Sequence, residues 1–494
     1  MSRSASAAAG SCVDGAGPRV PHEDPATGAI LAGPPAADAG QIDRAVAAAA
    51  AAQRDWWGHT PARERRDWLC AIADAIEDNA ASLAAAEARD TGLPLSLTEG
   101  GHIPRAVECF RAFGALAHQT PGEWHSLDGA YATLVERRPL GVVAVLAPWN
   151  APLAVAAMNV AAALAAGNAV ILKPSERAPV SSNLLARLID ALGFPPGVFS
   201  LLNGGPDVGA RLAGHPGIAG LCFVGGLENG RRVLASAAPS MKRVLLELGG
   251  RSSTIIFGDA PFEACVDGAL LSAFSGNGAV CTAGARILVE RSLYPRFAES
   301  FAARAAAIRI GPPLDRATEL GPLIDRRHHE HVAGLVADAV RRGARLLAGG
   351  AGRPAGFAGG HYHLPTVLAD VPAEAAVLRE EVFGPVAVLV PFDSDVDALA
   401  AASDPHAGLA ATVWTADLSR GARVARRLAC GGVALNAPFV RDERAPFGGL
   451  RLSGIGRVGG RWSLDAYSEP VTLCLPVEPF ALPRLGVPSL RAEP

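Results

Sequence analysis

One cysteine of this chain sits where a thiol could act as a nucleophile. Cys281 lies in Phe274-Ser275-Gly276-Asn277-Gly278-Ala279-Val280-Cys281-Thr282-Ala283-Gly284, a run of small residues that gives it little steric cover. Glycines let the backbone approach a ligand closely and adopt conformations closed to other residues. A thiol in such a bed can meet a carbonyl carbon with its backbone amide aimed at the same group. The window also fits a buried cysteine acting as a small hydrophobe, the commoner fate of this residue. A second candidate, His328-His329-Glu330-His331, lacks the H-E-x-x-H spacing that sets two metal ligands on one helix face, so it reads as a solvated helix start with no metal. A third, Gly225-Gly226-Leu227-Glu228-Asn229-Gly230, puts glycines between a strand and a helix, where a phosphate can meet the helix N-terminus. Its spacing is not G-x-G-x-x-G, and a structural turn fits it equally well.

The elements around these residues alternate. Short apolar runs at Val142–Leu146, Ala169–Leu172, Val198–Leu202, Leu221–Val224, Val244–Leu246 and Thr254–Phe257 read as strands. Helical patterns lie between them, one after Pro152 and one over Ser182–Leu192 with Gly193 as its C-cap. This alternation predicts an α/β fold with a doubly wound, Rossmann-like parallel sheet, which binds ligands at the carboxyl ends of its strands. Earlier in the chain, Thr60 as cap and Pro61 at the first position predict a packing helix with Trp68, Ile72 and Ile76 on one face. The alternation resumes after Cys281 and includes a strand at Val386–Val390. Residues 1–18 and the Pro-rich stretch from Pro476 are expected to be weakly ordered.

Bulk composition narrows the function classes. The chain has 494 residues, 50% hydrophobic and 19% charged, as expected of a globular protein of several domains. Its net charge is −3, with 45 basic and 48 acidic residues and no basic block, so nucleic acid is not an expected partner. The eight cysteines are scattered without a C-x-x-C pair, which predicts neither a disulfide framework nor a zinc site. A reducing, cytoplasmic setting is the default. No apolar stretch reaches the ~20 residues of a membrane span, the Ala-rich segment near Ala154–Ala166 included.

Taken together, the segments Pro148-Trp149-Asn150, Leu172-Lys173-Pro174-Ser175-Glu176, Gly225–Gly230, Glu247-Leu248-Gly249-Gly250, Val280–Gly284, Glu381-Val382-Phe383-Gly384-Pro385 and Pro446-Phe447-Gly448-Gly449 resemble the aldehyde dehydrogenase superfamily in type and order. The resemblance runs from about Asp24 to Glu469. It implies a cofactor domain over residues 1–120 and 140–250, and a second α/β catalytic domain over 251–467. It further implies a small β oligomerisation arm from 121–139 and 468–494, and assembly into a homodimer or homotetramer. By the same resemblance Cys281 is the nucleophile that adds to a small-molecule aldehyde. Asn150 and the Cys281 N–H stabilise the oxyanion, and Glu247 activates the water that hydrolyses the thioester. The implied cofactor is NAD rather than NADP, because the Glu176 carboxylate accepts ribose hydroxyls and would repel a 2′-phosphate. Lys173 and Glu176 match adenosine-ribose positions, Gly225, Gly226 and Gly230 the pyrophosphate turn, and Glu381 and Phe383 the nicotinamide side. Trp149 and Leu248 line the same crevice.

This chain also departs from the family. Gly226 stands where Ser is usual and Val224 where Thr is usual, which removes a phosphate-facing hydroxyl. Ala279 and Gly276 replace Gln and Asn, predicting a looser loop. Asn159 replaces a Lys that would relay protons to a carboxylate matching Glu469. The implied tunnel residues are Ala151, Val155, Met158, Ser275, Val280, Thr282, Phe439 and Phe447. Ala151 and Ser275 lie where Phe is common, so a wide tunnel for a bulky apolar or aromatic aldehyde is expected, with Arg441 and Arg444 keeping a carboxylated substrate open. A CoA-acylating relative and a non-catalytic family member are the competing readings; Glu247 favours water over CoA.

Overall fold

The structure, a computed structural model, describes residues 15–119, 122–127, 130–438, 440–479 and 485–486. The N-terminal part is helical. It includes α1 (Ala39–Asp55), α2 (Ala62–Asp78), α3 (Ala80–Thr91) and α4 (Ile103–Leu116). Helix α2 begins one residue later than the sequence cap predicts. Thr60 donates its hydroxyl to the Trp56 carbonyl and closes the preceding turn, leaving Pro61 at the cap position with no side-chain bond. Leu69, Ile72, Ala73 and Ile76 form its buried face, while Trp68 packs at the margin. Each large side chain removed from water there contributes roughly 1.5–3 kcal/mol.

A hairpin of β1 (Glu123–Leu127) and β2 (Tyr131–Pro139) leads into the first large sheet. That sheet is built from β3 (Val142–Leu146), β4 (Ala169–Lys173), β5 (Phe199–Leu201), β6 (Gly220–Gly225) and β7 (Arg243–Leu248), all parallel. Helix α5 (Pro152–Ala165) connects β3 to β4, α6 (Val180–Ala191) follows β4, and α7 (Leu227–Ala237) connects β6 to β7. Nearly every residue of α5 is buried, so its apolar composition reflects a place between layers. Among the described residues, no helix is long and apolar enough to cross a membrane.

Strand β3 starts the sheet at its centre, β4 and β5 extend one side, and β6 and β7 the other. The chain therefore reverses direction between β3 and β6, which are direct neighbours. The loops that follow these two strands lie side by side at the carboxyl edge, where open α/β sheets bind ligands.

The second sheet is seven-stranded. Its strands are β8 (Ser253–Ile256), β9 (Arg286–Glu290), β10 (Arg345–Ala348), β11 (Thr366–Ala369), β12 (Val386–Phe392), β13 (Ala410–Trp414) and β14 (Gly432–Leu435), and only β10 runs antiparallel to its neighbour. Helix α8 (Phe262–Phe274) leads into the Cys281 loop, and α9 (Arg326–Arg341) covers the far side. Near its end the chain returns to the first unit. The two-residue strand β15 (Gly454–Ile455) pairs with β7, opposite Glu247 and Leu246, and α10 (Gly460–Ala466) brings Leu464 and Tyr467 into the core of the first unit. The boundary drawn from sequence at 467 thus runs differently here, because residues 454–467 pack on the first sheet. Finally β16 (Ser468–Pro476) pairs along the whole of β2, giving the three-stranded arm β16-β2-β1.

Candidate active site

The loop carrying Cys281 is built on three consecutive left-handed residues, Gly276, Asn277 and Gly278, with φ of 61°, 57° and 70°. Glycine occupies two of them at little steric cost. A Cβ on Gly278 would stand 2.2 Å from the Gly384 carbonyl oxygen, so the loop lies directly on the Glu381–Pro385 segment. Asn277 ties it down. Its amide donates to the carbonyls of Gly92 and Pro322, both at 3.0 Å, and its Oδ1 accepts the Gly321 N–H at 2.8 Å. The looseness expected from Gly276 and Ala279 is therefore not what the structure has; the loop is buried up to Ala279, and Cys281 itself is half-buried. Asn277 was missed because a lone polar residue between glycines reads as an ordinary turn.

Asn150 reaches this loop from the other unit. Its Nδ2 donates to the Ala279 carbonyl at 2.8 Å, which leaves the second amide hydrogen available beside Cys281. Helix α5 begins just after it and has no side-chain cap of its own, since Ala151 occupies the cap position. Glu87, fully buried on α3, supplies one: its Oε2 accepts the Leu153 N–H at 3.0 Å, and its Oε1 pairs with His102 Nδ1 at 2.7 Å. An acidic group there also complements the helix dipole.

Glu247, at the end of β7, is 4% exposed, and neither carboxylate oxygen has a hydrogen-bond partner. Burial pushes its pKa up to about 8 against the pull of Arg441 and Arg457. The Phe447–Gly449 turn closes over it, and a Cβ on Gly448 would lie 2.8 Å from Oε1. Burial, reinforced by the negative charges of Glu381 and Glu247, pushes the Cys281 thiol up to about 12. Cys281 and Glu247 are thus electrostatically coupled, and Asn150 is bonded to the loop two residues before the thiol.

The crevice at the carboxyl edge of the first sheet collects the expected cofactor residues. Lys173 ends β4, buried, with Nζ 3.3 Å from Glu176 Oε2 and donating to the Pro174 carbonyl at 2.9 Å. Gly226 stands at the cap of α7 without a side-chain hydrogen bond, and a Cβ there would meet nothing within 4 Å. Gly225 precedes it, and Gly230 lets α7 settle on Leu248, whose side chain would lie 2.6 Å from a Cβ. An uncapped helix N-terminus with open space above it fits a pyrophosphate. On the opposite wall, Glu381 Oε1 accepts the Gly250 N–H at 3.1 Å, and burial pushes its pKa up to about 7. The Trp149 ring packs edge-on against Phe383, with centroids 5.3 Å apart. These residues fit a dinucleotide.

The tunnel positions divide. Ala151, Val155 and Met158 lie on α5 or at its cap, Ser275 ends α8, and Val280 and Thr282 flank Cys281. Phe439 lies outside the described residues. Beside Met158 the structure adds one charge that the sequence reading missed, Arg105, and sets it next to Arg441. Arg105 Nε donates to Glu443 Oε1 at 2.9 Å, and its Nη2 lies 3.9 Å from the Met158 sulfur. Arg441 stands 3.3 Å from the same Glu443 oxygen with its guanidinium over the Phe447 ring, and its Nη2 is buried without a hydrogen-bond partner. Both arginines lower the Cys281 pKa, so they lie within electrostatic reach of the thiol. Charge thus lies beside the tunnel for which a bulky apolar or aromatic aldehyde was expected, on the Arg441 side that had kept a carboxylated substrate open. Arg444, by contrast, pairs with Asp442 in solvent and takes no part. Arg105 sits far from every recognised motif, so only the fold brings it here.

One further expectation changes. Helix α9 does start at the histidine cluster, capped by Asp325, but His328 and His329 are half-buried and hydrogen-bonded to backbone carbonyls rather than solvated. No metal-binding group of His, Cys, Asp and Glu occurs among the described residues. Asn159, in the Lys position, is buried and accepts the Tyr467 hydroxyl at 2.9 Å, while Glu469 pairs with Arg243 at the surface.

The chain matches the sequence profile of the aldehyde dehydrogenase family over residues 12–473. It is 41% identical to a 2-aminomuconic 6-semialdehyde dehydrogenase of a Pseudomonas species, covering 92% of this chain and 94% of that one. It is 40% identical to the 5-carboxymethyl-2-hydroxymuconate semialdehyde dehydrogenase of Escherichia coli, covering 89% and 94%. The NAD+ complex of an aldehyde dehydrogenase from Bacillus cereus superposes with a TM-score of 0.90 at 33% identity, covering 93% of each chain.

Proposed function

The chain belongs to the aldehyde dehydrogenase family, and we propose that it oxidises a carboxylate-bearing semialdehyde to the acid with NAD, through a covalent bond to Cys281. One observation carries the chemistry. A free thiol, an amide with a hydrogen to spare and a buried carboxylate with two unpaired oxygens share one site.

The thiol is protonated at rest, so its proton must leave as sulfur bonds to the aldehyde carbon. That proton passes to solvent, and Glu247, whose raised pKa suits a base near neutral pH, is kept for the water step. The carbonyl oxygen becomes an oxyanion facing the free Asn150 hydrogen and the Cys281 N–H. Removing one such donor typically costs about 3–4 kcal/mol of transition-state stabilisation. NAD, when bound, is the hydride acceptor. Loss of hydride from the carbon leaves a thioester on Cys281. Ionised Glu247 then takes a proton from water as the water adds and gives it to the sulfur as the C–S bond breaks, so that the acid and the thiol are released.

Lys173 and Glu176 would hold the adenosine ribose, the N-terminus of α7 the pyrophosphate, and Glu381 with Phe383 the far ribose. The Glu176 carboxylate favours NAD over a 2′-phosphorylated cofactor, although its pairing with Lys173 softens that repulsion. Water as acyl acceptor, rather than CoA, is supported by the buried, unpaired state of Glu247.

The substrate class rests on Arg105 and Arg441. The two arginines share the single Glu443 carboxylate, and the buried Arg441 Nη2 makes no hydrogen bond, which is costly unless a further acceptor meets it. The relatives named for muconic semialdehydes support the same class. Trp124, Leu127 and Leu473 expose apolar surface on the arm, which supports self-association there. The function is tested by NADH formation across C2–C4 aldehydes, benzaldehyde and six-carbon acid semialdehydes, with and without CoA. The reading predicts the highest kcat/KM for the acid semialdehydes and no acyl-CoA. Turnover confined to uncharged aldehydes would contradict the substrate class, and acyl-CoA as product would contradict hydrolysis.

A further inference from the structure

The histidine cluster that begins α9 is not absorbed by the chemistry above, yet its first member meets the cofactor crevice. Phe383 has a left-handed backbone, with φ of 54°, which a bulky residue adopts only when its surroundings hold it there. His328 Nε2 lies 2.8 Å from the Phe383 carbonyl oxygen. A carbonyl only accepts, so the Nε2 of this imidazole carries the hydrogen and donates it.

The imidazole packs edge-on against Trp149 and Phe383, with centroids at 5.3 and 6.3 Å, while Asp325 Oδ1 accepts the backbone N–H of His328 at 2.8 Å and fixes the start of the helix. Trp149 belongs to the other unit, in the loop after β3. The Arg177 guanidinium lies over its ring at 4.6 Å and donates from Nε to Asp325 Oδ2 at 2.6 Å. The contacts close into a ring: Asp325, His328, Phe383, Trp149, Arg177 and back to Asp325. Three members come from the second unit and two from the first, so the ring spans the crevice mouth. Glu381, two residues before Phe383, grips the Gly250 N–H from the same short segment.

We propose that His328 is a positioning residue which, within this inter-unit ring, holds the Glu381–Phe383 segment in the conformation that receives the nicotinamide end of the cofactor. The proposal rests on the NAD reading above. A positioning residue needs the donor, not the imidazole as such, so glutamine should replace it and an apolar residue should not. Burial also holds this histidine at about 4, which keeps it neutral and the donor in place across the working pH range.

The test uses the full-length protein with His328→Ala, His328→Leu, His328→Gln and, as an exposed control on the same helix, Glu330→Gln. Two quantities are read: amide hydrogen exchange of the 380–386 segment without cofactor, and the NAD dissociation constant by calorimetry. His328→Ala should speed exchange in that segment and weaken NAD binding about tenfold, with His328→Gln and Glu330→Gln within twofold of wild type. His328→Leu fills the space without a donor and stands in if the alanine variant does not fold. Wild-type exchange and binding in the Ala and Leu variants would overturn the proposal, as would a Gln variant no better than Ala. A wild-type protein that binds no NAD would contradict the cofactor reading instead, and the exchange measurement alone would then decide the role of His328.

Discussion

Both carboxylate oxygens of Glu247 lie out of solvent without a donor, and burial lifts its pKa from the usual carboxylate range to about 8. The consequence for rate and the consequence for stability have opposite signs. As a base Glu247 works only when ionised, so the limb of kcat/KM that reports it should rise with pH and level off above about 8. For stability, the folded state binds a proton that the unfolded chain releases near the ordinary glutamate value. Its contribution is present below that value and is lost as pH rises towards 8. Glu247→Gln should therefore abolish most turnover yet melt above wild type at pH 9, with the difference shrinking by pH 5. A lower melting temperature for the variant at pH 9 would contradict the burial argument.

The arginines make a second prediction at this scale. Arg441→Met keeps the bulk over Phe447 and removes the charge. It should raise KM for an acid semialdehyde by a charged hydrogen bond, about 2 kcal/mol or roughly 30-fold, and leave benzaldehyde nearly unchanged. Equal effects on both substrates would argue for a structural role. Cys281 stood out in the sequence through its bed of small residues, whereas Glu247 and Asn150 were proposed only through the family resemblance. Arg105 and Glu443 were not legible there, since each lies in an ordinary helical or loop context and acquires meaning only by meeting the other.

Among the elements, the turn before Cys281 tolerates little change. Gly278→Ala would put a methyl 2.2 Å from a backbone oxygen at a φ of 70°, and neither the oxygen nor the dihedral can yield cheaply. Loss of activity together with a lower melting temperature is the expected outcome, and an active, equally stable variant would contradict the packing of this loop on Gly384. The turn at the head of α7 should behave in the opposite way. Gly226→Ser meets open space, adds a cap hydroxyl and restores the phosphate-facing group, so KM for NAD should fall several-fold. The strand and helix alternation from Val142 to Phe257 could be read from short apolar runs. The return of β15 to pair with β7 could not, because two residues in a Gly-rich segment have no periodicity to read. That unreadable strand backs Glu247 directly.

At the scale of the whole molecule, the arm sets exposed apolar side chains side by side. Trp124, Leu134 and Leu473 are aligned across its three strands, and Trp124 is 63% exposed. A second copy covering this row would account for that exposure. Trp124→Asp combined with Leu473→Asp should shift the protein to a smaller species in light scattering at unchanged helix content. An unchanged mass would place any assembly elsewhere. The arm and its use in assembly were implied by the family resemblance, and the structure adds the apolar row left bare on its strands. The two sheets, meanwhile, have one mechanical task. They present Asn150 and Glu247 from one unit to Cys281 on the other, with Asn150 donating across the gap to Ala279.

That convergence is tested most directly by intact and peptide mass spectrometry of Glu247→Gln mixed with NAD and an acid semialdehyde. The account predicts one equivalent of NADH in a burst and an acyl adduct on the peptide containing Cys281, with neither in Cys281→Ala. An adduct elsewhere, or undiminished turnover without Cys281, would contradict it.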